Sequence, residues 1–431
     1  MDSPSRSFNI EREVDRGLSK RVFLFIHAVG FNMQLSKRIL SVKTSPTVAL
    51  NAKAKALAKE GHKVLNFTVG EPDFATPASV VDVAVSALRA GKTKYGAAGG
   101  GVEIRQAVAA KLLRENKLKF DPEQIVVGIG AKEILFHIFL ALLNEGDEVL
   151  IPSPYWVSYP DQVIAAGGKP VPLPIAQDPA RELFDLASLD QCRTSRTTAI
   201  VLNSPCNPSG CVISESLLRS LGTYLEKTDW WIIADEIYEY LTFEGQHRSL
   251  LELFPHFKDR FILVNGMSKG YAMTGWRVGY CAAPTAPLNV AKLVRDLQSH
   301  SSTCLPPFIE EAATFALGQG PSLLAAEIGD LKLRRDRTIQ RLRELESAGL
   351  GLVVPEPQGA FYLLLDLRPA LKRRGSTAFE FAEYLLSKHY MAVVPGEPFG
   401  APGYIRISYA TAEANLVEGV GRLQKALQEW L

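Results

Sequence analysis

From about Ser79 to Leu317, amphipathic stretches of helical period alternate with short runs of apolar, β-favouring residues. That alternation predicts an α/β fold whose mainly parallel sheet lies between helices. Seven runs are the candidate strands: IVVGI, EVLIP, KPVPLP, AIVLN, WWIIAD, FILVN and RVGYCA. Several are apolar almost throughout, as strands covered on both faces must be. After Gly318 comes a long charged helix, LLAAEIGDLKLRRDRTIQRLRELESAG, then strand-like FYLLLDL, VVP and YIRISYA. The expected organisation is an extension over 1–34 outside the core, an N-terminal segment 35–78 joining the small domain, a large domain 79–317 and a small α+β domain 318–431. No solenoid period or low-complexity block interrupts the pattern.

Composition narrows the partners. The 431 residues are 47% hydrophobic and 22% charged, with 48 basic and 46 acidic side chains for a net charge of +2. Such a balance gives no global field for nucleic acid or an anionic membrane, so small-molecule partners are expected. The five cysteines are scattered, with no C-x-x-C pair and no metal-ligand spacing, which implies free thiols, a reducing compartment and no metal. No apolar run reaches the 18 residues of a membrane span. VFLFIHAVGF at Val22 to Phe31 has the apolar character of a signal peptide but no small-residue cleavage site, and Glu11, Glu13 and Asp15 argue against a transit peptide. A cytoplasmic location is expected. GLSKRV at Gly17 to Val22 is echoed by QLSKRI at Gln34 to Ile39, as if the chain began twice.

Ligands of open parallel sheets bind beyond the carboxyl ends of the strands. FILVNGMSKGYAMTGWR puts Ser268, Lys269 and Arg277 after such an end. A lysine partly desolvated among cationic or apolar neighbours has a lowered pKa and can form a Schiff base, while serine and arginine suit a phosphate ester. Taken alone, Lys269 reads as a surface lysine. WWIIADEIYEY adds Asp235, suited to the pyridinium nitrogen of pyridoxal phosphate, and Tyr238, suited to the ring's phenolate oxygen; Glu236 would point the other way along a strand. In AIVLNSPCNPSGCV, turn formation explains Pro205, Pro208 and Gly210, whereas the amide of Asn207 can share the phenolate oxygen. IVVGIGAKEIL reads as strand, glycine turn and helix, with the amides of Gly130 and Ala131 aimed at a phosphate. Trp156 in SPYWVSYP can stack on a pyridine ring, although any one tryptophan is more often core. Arg406 in YIRISYA alternates with Ile405 and Ile407 and can grip a carboxylate.

Taken together, SKxxxMTGWRxGY, NSPxNPxG, DEIY, PYWVSYP, GEPDF and RISYA resemble the class I aminotransferases of the aspartate aminotransferase family, from about Leu35 to the C-terminus. The resemblance implies fold type I of pyridoxal-phosphate enzymes, with a seven-stranded sheet in the large domain. It implies that Lys269 carries the cofactor, that Asp235, Tyr238 and Asn207 hold its ring, and that Ser268, Arg277 and the turn from Gly130 through Ala131 to Lys132 cradle its phosphate. Tyr95 in KYGAAGGGVEIR resembles a tyrosine that reaches the neighbouring subunit's phosphate, which implies a homodimer with shared active sites. Gly70 and Arg406 resemble contacts to the substrate α-carboxylate, and Trp156 the stacking ring. Departures are mild: Ser209 stands where NPTG is usual, Gly270 where Thr or a larger residue is common, Pro398 where a small residue is usual, and Val102 in place of a frequent proline.

The implied reaction is a ping-pong exchange of an amino group between an amino acid and an oxo acid, with the freed Lys269 amine as general base. Lys132 and Thr47 match positions that hold a distal carboxylate in one branch of the family, so aspartate with 2-oxoglutarate, in amino-acid biosynthesis, is expected. The alternative for Lys132 is a solvated lysine in the first turn of a helix. Lys43 resembles a position linked to prephenate use, which opens a dual or broader specificity. A carbon-sulfur lyase of the same fold would use the same lysine and aspartate. A cofactor-sensing regulator would need a DNA-binding domain, and the N-terminal residues are too few for one.

Overall fold

The computed structural model describes residues 35–42 and 46–431, with the backbone alone for 46–49. By internal contacts the chain divides into Met1–Lys43 and Thr44–Leu431. The described part of the first unit is a short helix, Lys37–Leu40, begun by Ser36, whose hydroxyl accepts from the Ile39 amide at 3.5 Å.

Thr44–Leu431 is built on a seven-stranded sheet: β1 (Ile125–Ile129), β2 (Glu148–Pro152), β3 (Lys169–Leu173), β4 (Thr197–Asn203), β5 (Trp231–Asp235), β6 (Phe261–Gly266) and β7 (Val278–Ala282). Their order is β1-β7-β6-β5-β4-β2-β3, and only β7 runs against its neighbours. The seven apolar runs are these seven strands. Alternate residues feed two cores, because successive side chains of a strand face opposite ways. Val127, Leu150, Ile200, Ile232 and Leu263 pack on one face. Val126, Val149, Val201, Ile233 and Val264 pack on the other. At the edge, β3 carries Pro170 and Pro172, whose missing N–H groups blunt the edge against further pairing.

Helices α1 (Ala131–Leu142) and α2 (Ser158–Ala165) follow β1 and β2. The charged helix α3 (Ala325–Ser347) starts two residues later than its sequence pattern predicts. Gly320–Leu324 forms a tighter 3-10 turn instead, where Pro321 has no N–H to give. A second sheet joins β8 (Tyr362–Asp366), β9 (Val394–Pro395) and β10 (Tyr404–Ser408) in the antiparallel order β9-β10-β8. Its core takes Leu342 from α3 and Leu423 and Trp430 from the last helix, α4 (Glu413–Trp430). The strand Leu65–Asn66 pairs in parallel with Met391–Ala392, and helix Pro46–Lys59 buries Leu50 and Ala54 against Leu386 and Ala392. Among the described residues no helix is long and apolar enough to cross a membrane.

Candidate active site

Beyond the carboxyl ends of β1, β2, β4, β5 and β6 lies a cavity of about 290 Å³, closed by Tyr362 of β8 and Arg406 of β10. Because β7 is antiparallel, its beginning sits at that same edge of the sheet and brings Arg277 there. Lys269, three residues past β6, projects into the cavity, and its ammonium donates to the Gly70 carbonyl at 2.5 Å. Burial is the main reason its pKa falls to about 8; the charge of Glu71 works against that fall, while Arg277 and Arg406 add to it.

Asp235 ends β5, directly opposite Asn203 in the register with β4. Its carboxylate accepts from the Tyr159 hydroxyl at 2.6 Å and from the Ile237 amide at 3.3 Å. Burial nevertheless lifts its pKa to about 6, against the pull of those two bonds. Asn203 fixes the loop alongside: its Nδ2 donates to the Asp235 carbonyl at 2.9 Å and its Oδ1 accepts from the Asn207 amide at 2.9 Å. The Asn207 Oδ1 accepts from Arg406 Nη1 at 3.0 Å, which turns its Nδ2 away from that arginine.

Arg406 is buried, donates to the Thr68 carbonyl at 2.8 Å, and lies 4.4 Å from the centre of the Tyr362 ring. Its Nε has no hydrogen-bond partner among the described residues. A buried guanidinium with an unused donor beside a cavity is suited to an anion. Tyr238 is also buried, and its hydroxyl lies 3.0 Å from that of Tyr362.

Where β1 turns into α1, the arrangement differs from the sequence expectation in one respect. The Gly130 amide is already used, donating to the Gly128 carbonyl at 2.8 Å. Gly130 serves the site through its missing side chain: its φ is 82°, and a Cβ there would lie 2.6 Å from Arg277 Nη2. Ala131, Lys132 and Ser268 line the cavity at this end. Lys132 is open to solvent at the mouth, with its ammonium 4.9 Å from the centre of the Trp156 ring. Partial loss of water, and then the charge of Arg277, lower its pKa.

Tyr95 is 88% exposed and does not line the cavity. Lys43 lies outside the described residues, and of Thr47 only its place in the first turn of Pro46–Lys59 is described. Glu236 faces away, with its Oε2 3.2 Å from His247 Nε2. Glu236, Glu239 and His247 cluster within 4.8 Å, but the buried Lys111 ammonium and the amides of Asn116 and Asn265 already occupy Glu239. Glu239 is thus taken up by an internal ion pair with Lys111. The sequence reading missed Tyr159, Asn203 and Tyr362. For Tyr159 a signal existed: it stands one helical turn after Trp156, and residues three apart share a face.

Gly270 is explained by its neighbour. A Cβ there would lie 2.2 Å from Tyr240 Cδ2, and the Tyr240 hydroxyl bonds Tyr271 at 2.9 Å and also the Glu115 carboxylate. Tyr240 fills the space that a larger residue after Lys269 would need.

The chain belongs to the aminotransferase class I and II family, whose model matches residues 62–423. It is 41% identical over 398 residues to a probable aspartate/prephenate aminotransferase of Aquifex aeolicus, covering 92% of this chain and 99% of that protein. It is 39% identical over 401 residues to the aspartate aminotransferase of Bacillus subtilis, covering 92% and 100%. The structure of the Thermus thermophilus aspartate aminotransferase with maleate superposes with a TM-score of 0.84 at 38% identity, covering 91% of this chain and 100% of that one.

Proposed function

We propose that this aminotransferase moves the amino group of L-aspartate to 2-oxoglutarate, with pyridoxal 5'-phosphate held on Lys269. The observation that carries the reading is the meeting, in one cavity of about 290 Å³, of an amine with a pKa near 8, a buried carboxylate and two separate cationic groups, Arg406 and Lys132. The residues fit the cofactor: Gly130 leaves room where a Cβ would strike Arg277, Arg406 has an unused buried donor, and Asp235 faces the cavity.

When bound, the cofactor supplies a carbonyl carbon that condenses reversibly with amines and a ring that takes up electron density from the substrate Cα. Asp235, kept ionised by the ring cation it faces, would hold the proton of the ring nitrogen. Tyr238 and Asn207 Nδ2 would donate to the ring oxygen. Ser268, Arg277 and the Ala131 amide at the start of α1 would hold the phosphate, and Trp156 would stack on the ring. Once freed, Lys269, with its lowered pKa, would carry the Cα proton near neutral pH.

Arg406 would bind the substrate α-carboxylate as a fork, near Gly70, and Lys132 the distal one, the role in which the family resemblance also includes Thr47. The maleate in the Thermus structure is itself a dicarboxylate, which supports a second carboxylate site. The exposure of Tyr95 supports a homodimer in which this ring reaches the other subunit's phosphate, and five unpaired thiols support a cytoplasmic location. The Aquifex relative's name favours prephenate as a further amino acceptor, with Lys43 as the residue to examine. Assaying a panel of amino donors with 2-oxoglutarate tests the proposal. Aspartate is expected to give the highest kcat/KM, and a neutral or aromatic donor exceeding it would overturn the assignment.

A further inference from the structure

We propose that Tyr362 is a positioning residue whose hydroxyl donates to Tyr238 and thereby aligns Tyr238 as a donor to the cofactor's ring oxygen. The inference rests on the cofactor reading above. Tyr362 opens β8 and is paired with Ser408 of β10, so the sheet fixes its backbone. Its ring is buried, and its face lies against the Arg406 guanidinium at 4.4 Å. A phenylalanine would serve that contact equally well. The hydroxyl therefore needs its own account. It lies 3.0 Å from the Tyr238 hydroxyl, with the two rings edge to face at 6.0 Å. Room is also kept for it: a Cβ on Gly70 would stand 2.9 Å from that oxygen.

Each phenol has one proton to give. Burial holds Tyr238 well above its ordinary pKa, so it enters the site protonated. If the Tyr238 proton goes to an oxygen in the cavity, the bond between the two phenols must be made with the proton of Tyr362. The chain then runs in one direction, from Tyr362 to Tyr238 to the ligand. Bonds in such a chain polarise one another, each strengthening the next by roughly 10–30%. A stronger donor to the ring oxygen stabilises negative charge there. Losing it makes the chromophore formed with Lys269 hold its proton more tightly, which raises its pKa.

The test is a pH titration of the visible absorbance of the cofactor-loaded protein in Tyr362→Phe, Tyr238→Phe and the double variant, with succinate affinity measured well below the titration. Tyr238→Phe is expected to raise the chromophore pKa by about one unit, and Tyr362→Phe by about 0.2–0.5 unit. In the Tyr238→Phe background, Tyr362→Phe should add nothing. Succinate affinity should stay within about twofold in Tyr362→Phe, because the ring under Arg406 remains; a merely structural loosening would weaken it. An unchanged pKa in Tyr362→Phe, the same shift in both backgrounds, or a parallel loss of succinate binding would overturn the inference. A wild-type protein that forms no Lys269-dependent chromophore would instead overturn the cofactor reading on which it stands.

Discussion

The Tyr159 hydroxyl donates to Asp235 Oδ2 at 2.6 Å, and both side chains are buried. One short helix start thus delivers Trp156 to the mouth of the cavity and, one turn on, a donor to the carboxylate. That bond opposes the burial that lifts Asp235 to about 6. Tyr159→Phe is therefore expected to raise the Asp235 pKa by about a further unit. In the cofactor-free protein the carboxylate would then be partly protonated at neutral pH. A pH titration of Asp235 in the cofactor-free protein and in Tyr159→Phe checks this, and an unmoved pKa would contradict it.

Asp235 also makes the cofactor-free protein pH-sensitive. Its folded pKa, about 6, stands above the ordinary aspartate value of 3.8. Between those values the folded state keeps a proton that the unfolded chain has released, so stability falls as pH rises through this window. Asp235→Asn removes the charge, and urea unfolding of the cofactor-free variant should show a gain of about 1–3 kcal/mol near pH 7.5 that disappears near pH 4. An equal loss at both pH values would contradict the argument.

Lys132 is expected to choose the substrate. Lys132→Ala removes one cation facing a distal carboxylate, a charged contact of about 1.5–3 kcal/mol. The kcat/KM for aspartate should fall roughly 10- to 100-fold, while that for alanine changes little. An equal loss for both donors would sink the assignment.

Gly270 and Tyr240 should behave as a coupled pair. Gly270→Thr drives a side chain into the Tyr240 ring and should cost about 1–3 kcal/mol in thermal or urea unfolding. Tyr240→Ala in the same chain should recover part of that loss, whereas additive losses would show that the two do not share the space.

Most of the strand layer was legible because a sheet covered on both faces must be written in apolar runs. Those runs coincide with β1 to β7. The site residues that touch the cavity through turn sequences, such as Lys269, Asp235 and Asn207, were legible for a related reason: strand ends mark where they must sit. What sequence could not show is the traffic between segments far apart in the chain. Tyr362 meets Tyr238 across 124 positions, and Asn203 ties two strand ends together only because β4 and β5 are neighbours. Nor does a glycine reveal whether it offers its amide or its missing Cβ. Gly130 offers the second.

The central claim is amino-group exchange on Lys269, and a single-turnover experiment tests it most directly. The cofactor-loaded protein is mixed with L-aspartate and no oxo-acid acceptor, and oxaloacetate and ammonia are counted per active site. The account predicts about one equivalent of oxaloacetate and no ammonia, then a stop that 2-oxoglutarate relieves, with no product from Lys269→Ala. Continued oxo-acid or ammonia release without an acceptor, or an unimpaired Lys269→Ala variant, would contradict it.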